Sequence, residues 1–354
     1  AINAVNTPGD NDASPSLFKI TQPGSYYLTG NITGVVGRHG IEIVASGVTI
    51  DLCGFDFAGV PAMGLVDGIT VTVNGLTNIA VVNGSVRNWG DEGVDLGLFG
   101  AVGCHVEKVL ASGNAGLGIS LSTNSVVESC TVTDNVGNGI SVGHGSTVRG
   151  CTAHLNDGTG IAGIGSATIA DCSAYNNATG FNVGLGSTVI GCSARDNTAD
   201  GFVVSSASVV SNCSAYSNGT DGIRAASTSV TISGCTSSFN VGDGIEVPGN
   251  CHIINNICDG NGVGAGTGMG IKATGTDSRI EGNSLMRNDI GLDVQLSGNF
   301  IVRNTAAGNG TVNYQIIANN KVGFIVSAPN SLAINGSTGG AGVGSTDPWA
   351  NFSY

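Results

Sequence analysis

Apolar and polar residues alternate along this chain in runs too short for helices. Ile140-Ser141-Val142 and Thr147-Val148-Arg149 are typical, and each is followed by a turn rich in Gly, Ser or Asn. A period of two predicts strands, and such brief runs predict very short ones. The runs recur in a frame. Gly139 to Asn156 reads GISVGHGSTVRGCTAHLN, and Gly180 to Asn197 reads GFNVGLGSTVIGCSARDN. The same frame restarts at Gly93, Gly118, Gly160, Gly201, Gly222, Gly244, Gly270 and Gly291, and most steps between these glycines are 20 to 22 residues. One such repeat cannot bury its own apolar face. Repeats stacked in parallel bury a continuous core and pair each backbone with the coil above and below.

Three columns follow from this frame. The first comprises Cys53, Asn83, Cys104, Cys130, Cys151, Cys172, Cys192, Cys213, Cys235, Asn256, Asn283 and Asn304. The second, usually five residues later, comprises Asn88, Asn135, Asn156, Asn177, Asn197, Asn218, Asn240, Asn261, Asn288 and Asn309. Small residues such as Ala153, Ala174, Ala194 and Ala215 make the third. Stacked Asn side chains can hydrogen-bond one another at the strand spacing, and Asn tolerates the left-handed backbone of a sharp corner. The corner glycines are expected to take a φ that a Cβ forbids.

This pattern resembles the pectate-lyase-like group of right-handed parallel β-helix proteins over about residues 40 to 326. The resemblance implies an all-β, single-stranded right-handed solenoid of about 12 coils. Residues 1–39, with Pro8, Pro15 and Pro23, are expected to form an N-terminal cap. Residues 40–330 are the helix, and 331–354 a Gly/Ser-rich C-terminal tail whose Trp349, Phe352 and Tyr354 tuck against the wall.

Composition agrees with a strand-and-turn protein. There are 59 glycines, 41% hydrophobic residues and only 10% charged ones. The net charge of −13 lacks the basic footprint of a nucleic-acid binder. No apolar run is long enough to span a membrane. The start at Ala1, without a basic and apolar leader, fits a mature end after signal-peptide removal, hence a secreted or cell-surface protein. Asn31, Asn335 and Asn351 head Asn-x-Ser/Thr triplets and are candidate glycan acceptors. The ten cysteines are expected to be mostly free, buried thiols, because residues stacked one strand spacing apart fit disulfide geometry poorly. Cys251 and Cys258 leave the column yet face inward. Without a Cys-x-x-Cys pair, zinc is not expected.

Gly143-His144-Gly145 matches one element of the polygalacturonase-type hydrolases on this fold. Its neighbour one coil earlier, Ser122-Thr123-Asn124-Ser125, lacks the paired Asp that acid–base hydrolysis requires. The acidic calcium cluster of pectate lyases and the Asp-Pro-x-x-His of alginate epimerases are also missing. Some β-helix lyases use a Lys base and an Arg that steadies the enolate. The residue two after the corner glycine should point outward, and in four coils it is Arg224, Glu246, Lys272 and Asp293. In this reading Lys272 is the base and Arg224 the substrate clamp; the plain alternative is a cross-coil salt-bridge row. Asp200, Asp221 and Asp243, each before a corner glycine, could hold calcium, the one cofactor the sequence suggests, or simply cap turns. Extra residues at Gly59–Val66, Val109–Gly113 and Gly262–Gly268 fall near one corner, where solenoids build binding surfaces. Gly264 to Gly270 is glycine-rich like a phosphate loop but lacks the following Lys-Ser/Thr.

The expected function is therefore a secreted carbohydrate-active protein of lyase or epimerase type, with a polysaccharide as partner. The competing expectation is a structural or adhesive surface protein that self-associates through its helix ends or C-terminal tail, since an open solenoid end is an unpaired sheet edge.

Overall fold

The computed structural model describes residues 1–262, 268–327 and 347–354. It divides into two compact units, Ala1–Thr188 and Val189–Tyr354. In the first, eight strands stack in parallel to form one face: Ser16–Ile20, His39–Ile43, Ile69–Val71, Val94–Leu96, Ile119–Leu121, Ile140–Val142, Thr159–Gly163 and Thr179–Val183. Two further faces run alongside, for example Val126–Glu128 on Thr147–Arg149 and Thr131–Thr133 on Thr152–His154. In the second unit six strands form the corresponding face: Phe202–Val204, Ile223–Ala225, Ile245–Val247, Met269–Ala273, Ile290–Val294 and Val312–Ile316. All described regular elements are strands, and no helix among the described residues is long and apolar enough to cross a membrane.

Eight coils and six exceed the expected 12. The additional coils lie at the chain's ends, where the corner-glycine frame fades. Ser16–Ile20, Gly24–Tyr27 and Ile32–Thr33 already pair with the next coil. At the other end Asn351–Ser353 pairs with Thr305–Ala307 and Ile325–Ser327. Asn351 is fully buried there and accepts from the amide of Asn304 at 3.2 Å, so it is a rung rather than a glycan acceptor. Trp349 lies under the Arg303 guanidinium at 4.2 Å. Asn335 and most of the Gly/Ser-rich tail fall outside the described residues, as do residues 263–267 of the third expected insertion and of the glycine-rich stretch.

The alternation works as the sequence suggests. Ile140 and Val142 are buried while Ser141 is partly exposed, and the same pattern recurs at Phe202–Val204 and Ile223–Ala225. Each buried Val, Ile or Phe contributes about 1.5–3 kcal/mol. The asparagine ladder runs from Asn114 through Asn135 and Asn156 to Asn177 in the first unit, each amide donating to the next at 2.9 Å. In the second it runs from Asn197 through Asn218, Asn240, Asn261 and Asn288 to Asn309. Each Asn oxygen also accepts the backbone N–H of the preceding rung, as Asn218 does from Asn197 at 3.2 Å.

Several column members move. Long strands at Ile79–Arg87 and His105–Ser112 shift the early register. Val109–Gly113 is therefore strand end and turn rather than an inserted loop. Leu110 pairs with Thr131, so Val109 stands where Cys130 stands one coil on. Cys104 instead joins a serine row, its N–H donating to Ser125 Oγ at 3.1 Å. Cys53, Asn83 and Asn88 take left-handed corners, with φ of 54°, 60° and 60°, and Trp89 replaces Asn88 on the ladder. The corner glycines do not have positive φ. They are glycine for want of room: a Cβ on Gly139 would lie 2.6 Å from the Gly160 carbonyl and 2.9 Å from the Asn156 amide. None of the ten cysteines is in a disulfide, with Cys53 exposed and the other nine buried.

Candidate functional site

The second unit carries the residues the sequence singled out. Arg224, Glu246, Lys272 and Asp293 occupy paired positions on successive strands. Their side chains separate into three groups. Arg224 Nε donates to Asp200 Oδ2 at 2.8 Å. Lys272 Nζ lies 3.2 Å from both Asp243 Oδ2 and Glu246 Oε1. Asp293, 2% exposed, accepts from the side-chain amides of Gln295 and Gln315. Burial lowers the Lys272 pKa, but the two carboxylates outweigh it and hold the ammonium above its ordinary value. To abstract a proton Lys272 would have to leave both partners, since a base needs a free amine.

The three aspartates cap the turn. Asp200 accepts the Asp221 N–H at 3.1 Å, Asp221 that of Asp243 at 2.8 Å, and Asp243 that of Met269 at 2.8 Å. Oxygens of Asp221, Asp243 and Glu246 lie within 4.8 Å of one another. Asp200 is drawn off by Arg224, and Glu246 takes its place in the cluster. Burial first, then the charge of Asp243 and a hydrogen bond with Glu246, push Asp221 up to about 7. Burial also raises Asp243, against the opposing pull of the Met269 N–H and Lys272. This all-carboxylate donor set fits a hard cation such as calcium, with waters completing the shell, although the Lys272 ammonium already neutralises part of it.

The first unit contains a site that the sequence reading passed over. The same two columns, followed back toward the N-terminus, contain His39, Asp67 and Glu92 before the corner glycine and Glu42, Thr70, Asp95, Ser120 and Ser141 two residues after it. Oxygens of Asp67, Asp91 and Glu92 lie within 4.8 Å of one another. Asp67 is fixed by accepting the Glu92 N–H at 3.1 Å, and its own N–H donates to His39 Nδ1 at 3.0 Å. That nitrogen is therefore the unprotonated one, and the 3.4 Å His39–Asp67 approach is not an ion pair through Nδ1. Burial, then the charges of Asp67 and Asp91, push Glu92 up to about 9, so it remains a carboxylic acid at neutral pH. Burial raises Asp95 too, although the N–H groups of Gly97 and Leu98 donate to its Oδ1 at 2.9 and 3.1 Å.

A groove of about 380 Å³ brings these acids together with a base. Its lining includes Asp91, Glu92, Asp95, Ser120, Ser141 and His144. His144 is exposed and belongs to the coil two beyond that of Asp95. The Gly143-His144-Gly145 stretch, unremarkable against its own neighbours, thus lines one groove with carboxyl groups contributed by earlier coils. The Asp91-Glu92-Gly93-Val94-Asp95 run was the available signal.

Fold and sequence comparison agree on the class. Residues 20–178 and 162–290 match the family described as "Right handed beta helix region", and the chain belongs to that family. No curated protein sequence matches it. Among solved structures it is similar to the A-module of the mannuronan C-5 epimerase AlgE6 of Azotobacter vinelandii, with a TM-score of 0.51 and 14% identity over 87% of this chain and 89% of that one. A variant of the periplasmic alginate epimerase AlgG gives 0.50 and 11% identity over 86% and 83%. The Dettilon tailspike protein gives 0.50 and 15% identity over 81% of this chain; the chain spans 60% of the tailspike's length. At such identities the likeness is one of fold.

Proposed function

We propose that this is a secreted or cell-surface polysaccharide-modifying protein of lyase or epimerase type, working through the first-unit groove. One observation carries the reading: Glu92, with its pKa near 9, and His144 line the same groove. A protein of net charge −13 repels a polyuronate, unless its site offers a neutral donor or a bridging cation. Protonated Glu92 becomes such a donor when its proton turns from Asp91 and Asp67 to the substrate. Hydrogen-bonded to a uronate carboxylate, it stabilises the negative charge that builds there when the adjacent C-5 proton leaves. His144 accepts that proton. Return of a proton from water to the opposite face yields the epimer; cleavage of the C-4–O bond, with the departing oxygen taking up the proton held by His144, yields an unsaturated end. That two structures sharing the fold are named as alginate or mannuronan epimerases supports the substrate class. In the second unit we assign Arg224, Glu246 and Lys272 to a substrate-contacting row, with calcium at Asp221, Asp243 and Glu246, while the buried Asp293 fixes Gln295 and Gln315 at the end of that row.

The test is incubation in D₂O with alginate, pectate and glycosaminoglycans, with and without calcium. Proton NMR reads exchange at C-5 and ultraviolet absorbance reads unsaturated ends. Exchange or elimination that Glu92→Gln and His144→Gln each abolish is the expected result. No exchange, inversion or elimination on any of these polymers overturns the reading. A structural role by self-association is favoured by one feature, the exposed Ile317, Phe324, Trp349 and Tyr354 near the last coil. Sedimentation of Phe324→Ser against wild type separates that alternative.

A further inference from the structure

A second feature stands on another strand column. The third strand of each coil places one outward residue after its buried small residue. In four successive coils that residue is planar: His154, Tyr175, Arg195 and Tyr216. The coil before has Thr133 there, and later coils have Ser238, Asp259 and Met286. In the first unit His154 pairs with Tyr175, their rings 4.9 Å apart and 7° from parallel. In the second, Arg195 pairs with Tyr216, whose ring meets Phe239 edge-on at 5.6 Å. Tyr216 and Phe239 are 48% and 47% exposed.

Phe239 is the most informative of these. Its φ is +57°, in a corner position that neighbouring coils fill with Ser217 and Gly260. A bulky residue in the left-handed region is strained. Ser217 shows that the coil closes without an aromatic, and Phe239 remains 47% exposed there. Its ring stands over Gly260, where a Cβ would come within 2.9 Å of it. Leu155 and Arg287 take the same left-handed corner in other coils, each with a φ of 56°, so what sets Phe239 apart is an aromatic ring left half open to solvent.

The stacked His154 and Tyr175 rings cover each other's faces, whereas the edge-on Tyr216 and Phe239 rings stay half open. We propose that Tyr216 and Phe239 form, in the second unit, a stacking surface for the pyranose rings of a neutral glycan chain. Two half-exposed rings offer about 200 Å², far below the roughly 800 Å² per partner of a stable protein interface. The net charge of −13 opposes nucleic acid. The charged groups beside the rings are already neutralised in pairs: Arg195 with Asp196 at 3.0 Å, and Arg287 with Asp259. Such pairs attract no ion, yet they present N–H donors and carboxylate acceptors to hydroxyl groups. Flat apolar faces edged by neutral polar pairs match an uncharged sugar ring, apolar on its faces and hydroxylated around its rim. The surface holds a chain without transforming it, so it stands independently of the groove chemistry.

The test is affinity electrophoresis of the full chain in gels containing neutral polysaccharides (mixed-linkage glucan, xylan, galactomannan), with alginate as the charged comparison. At least one neutral polymer should retard the wild type. Tyr216→Ala and Phe239→Ser should each weaken that binding about tenfold, and Leu185→Ser, at an exposed apolar residue on another face, should not. Phe239→Ser should melt no lower than wild type, which separates lost binding from lost folding. The proposal is overturned if no neutral polymer retards the protein, or if both aromatic variants bind like wild type. Uronate chemistry in the groove with no neutral-glycan binding would uphold the proposed function and sink this inference alone.

Discussion

Replacing Glu92 with glutamine should stabilise the protein at alkaline pH and leave it nearly unchanged at pH 4. In the folded chain Glu92 is pushed to about 9, against an ordinary value of 4.5. Between those values the native state holds a proton that the unfolded chain has released, so wild-type stability falls as pH rises from about 4.5 to about 9. Above that window both states are ionised and the loss is complete. Glutamine keeps the shape and cannot ionise. Converting the whole shift would overstate the effect, because Glu92 is only partly buried and water screens its repulsion from Asp67 and Asp91. A discounted figure is about 1–2 kcal/mol at pH 9, or about 3–6 °C in Tm for a unit of this size. Asp221, Asp95 and Asp243 are also raised and slope the same way, so the informative quantity is the difference between variant and wild type. Calorimetric scans at pH 4, 7 and 9 supply it. A difference that stays at zero across the series, or that favours wild type at pH 9, refutes the claim that Glu92 is held neutral by its neighbours.

Lys272→Met removes the ammonium between Asp243 and Glu246. It should cost about 1–2 kcal/mol at pH 8, and less at pH 5, where Asp221, at about 7, is protonated. Millimolar calcium should recover that loss in a thermal melt; an unresponsive variant rules out the cation site. Asn218→Ala deletes a fully buried rung that accepts from Asn197 and donates to Asn240 and to the Ala194 carbonyl. About 2–4 kcal/mol should be lost in urea unfolding, and a change below about 0.5 kcal/mol would mean the ladder is incidental to stability. Titration of native protein with an aromatic disulfide reagent should detect one thiol, Cys53, and ten after denaturation.

The class of fold was readable from the chain because a solenoid writes its rule locally and repeats it. Each coil needs inward apolar residues, a ladder side chain and a corner with no room for Cβ, so a frame of about 21 residues recurs wherever the coil is regular. The rule failed where coils depart from it. Long strands at Ile79–Arg87 and His105–Ser112 shifted Asn83, Asn88 and Cys104 out of their assigned columns. Asn351 proved to be a rung because a tail strand returns to pair with Thr305–Ala307, a contact no local pattern encodes. The charged columns were partly legible. Spacing located Arg224, Glu246, Lys272 and Asp293, but the choice of partner depended on side-chain reach: Arg224 went to Asp200, and Lys272 to Asp243 and Glu246. Asp67 and Glu92 stand 25 residues apart in sequence, and only stacking brings their oxygens within 4.8 Å. Whether such a carboxyl is an acid or an anion depends on burial and neighbouring charge, and both are properties of the assembled coils.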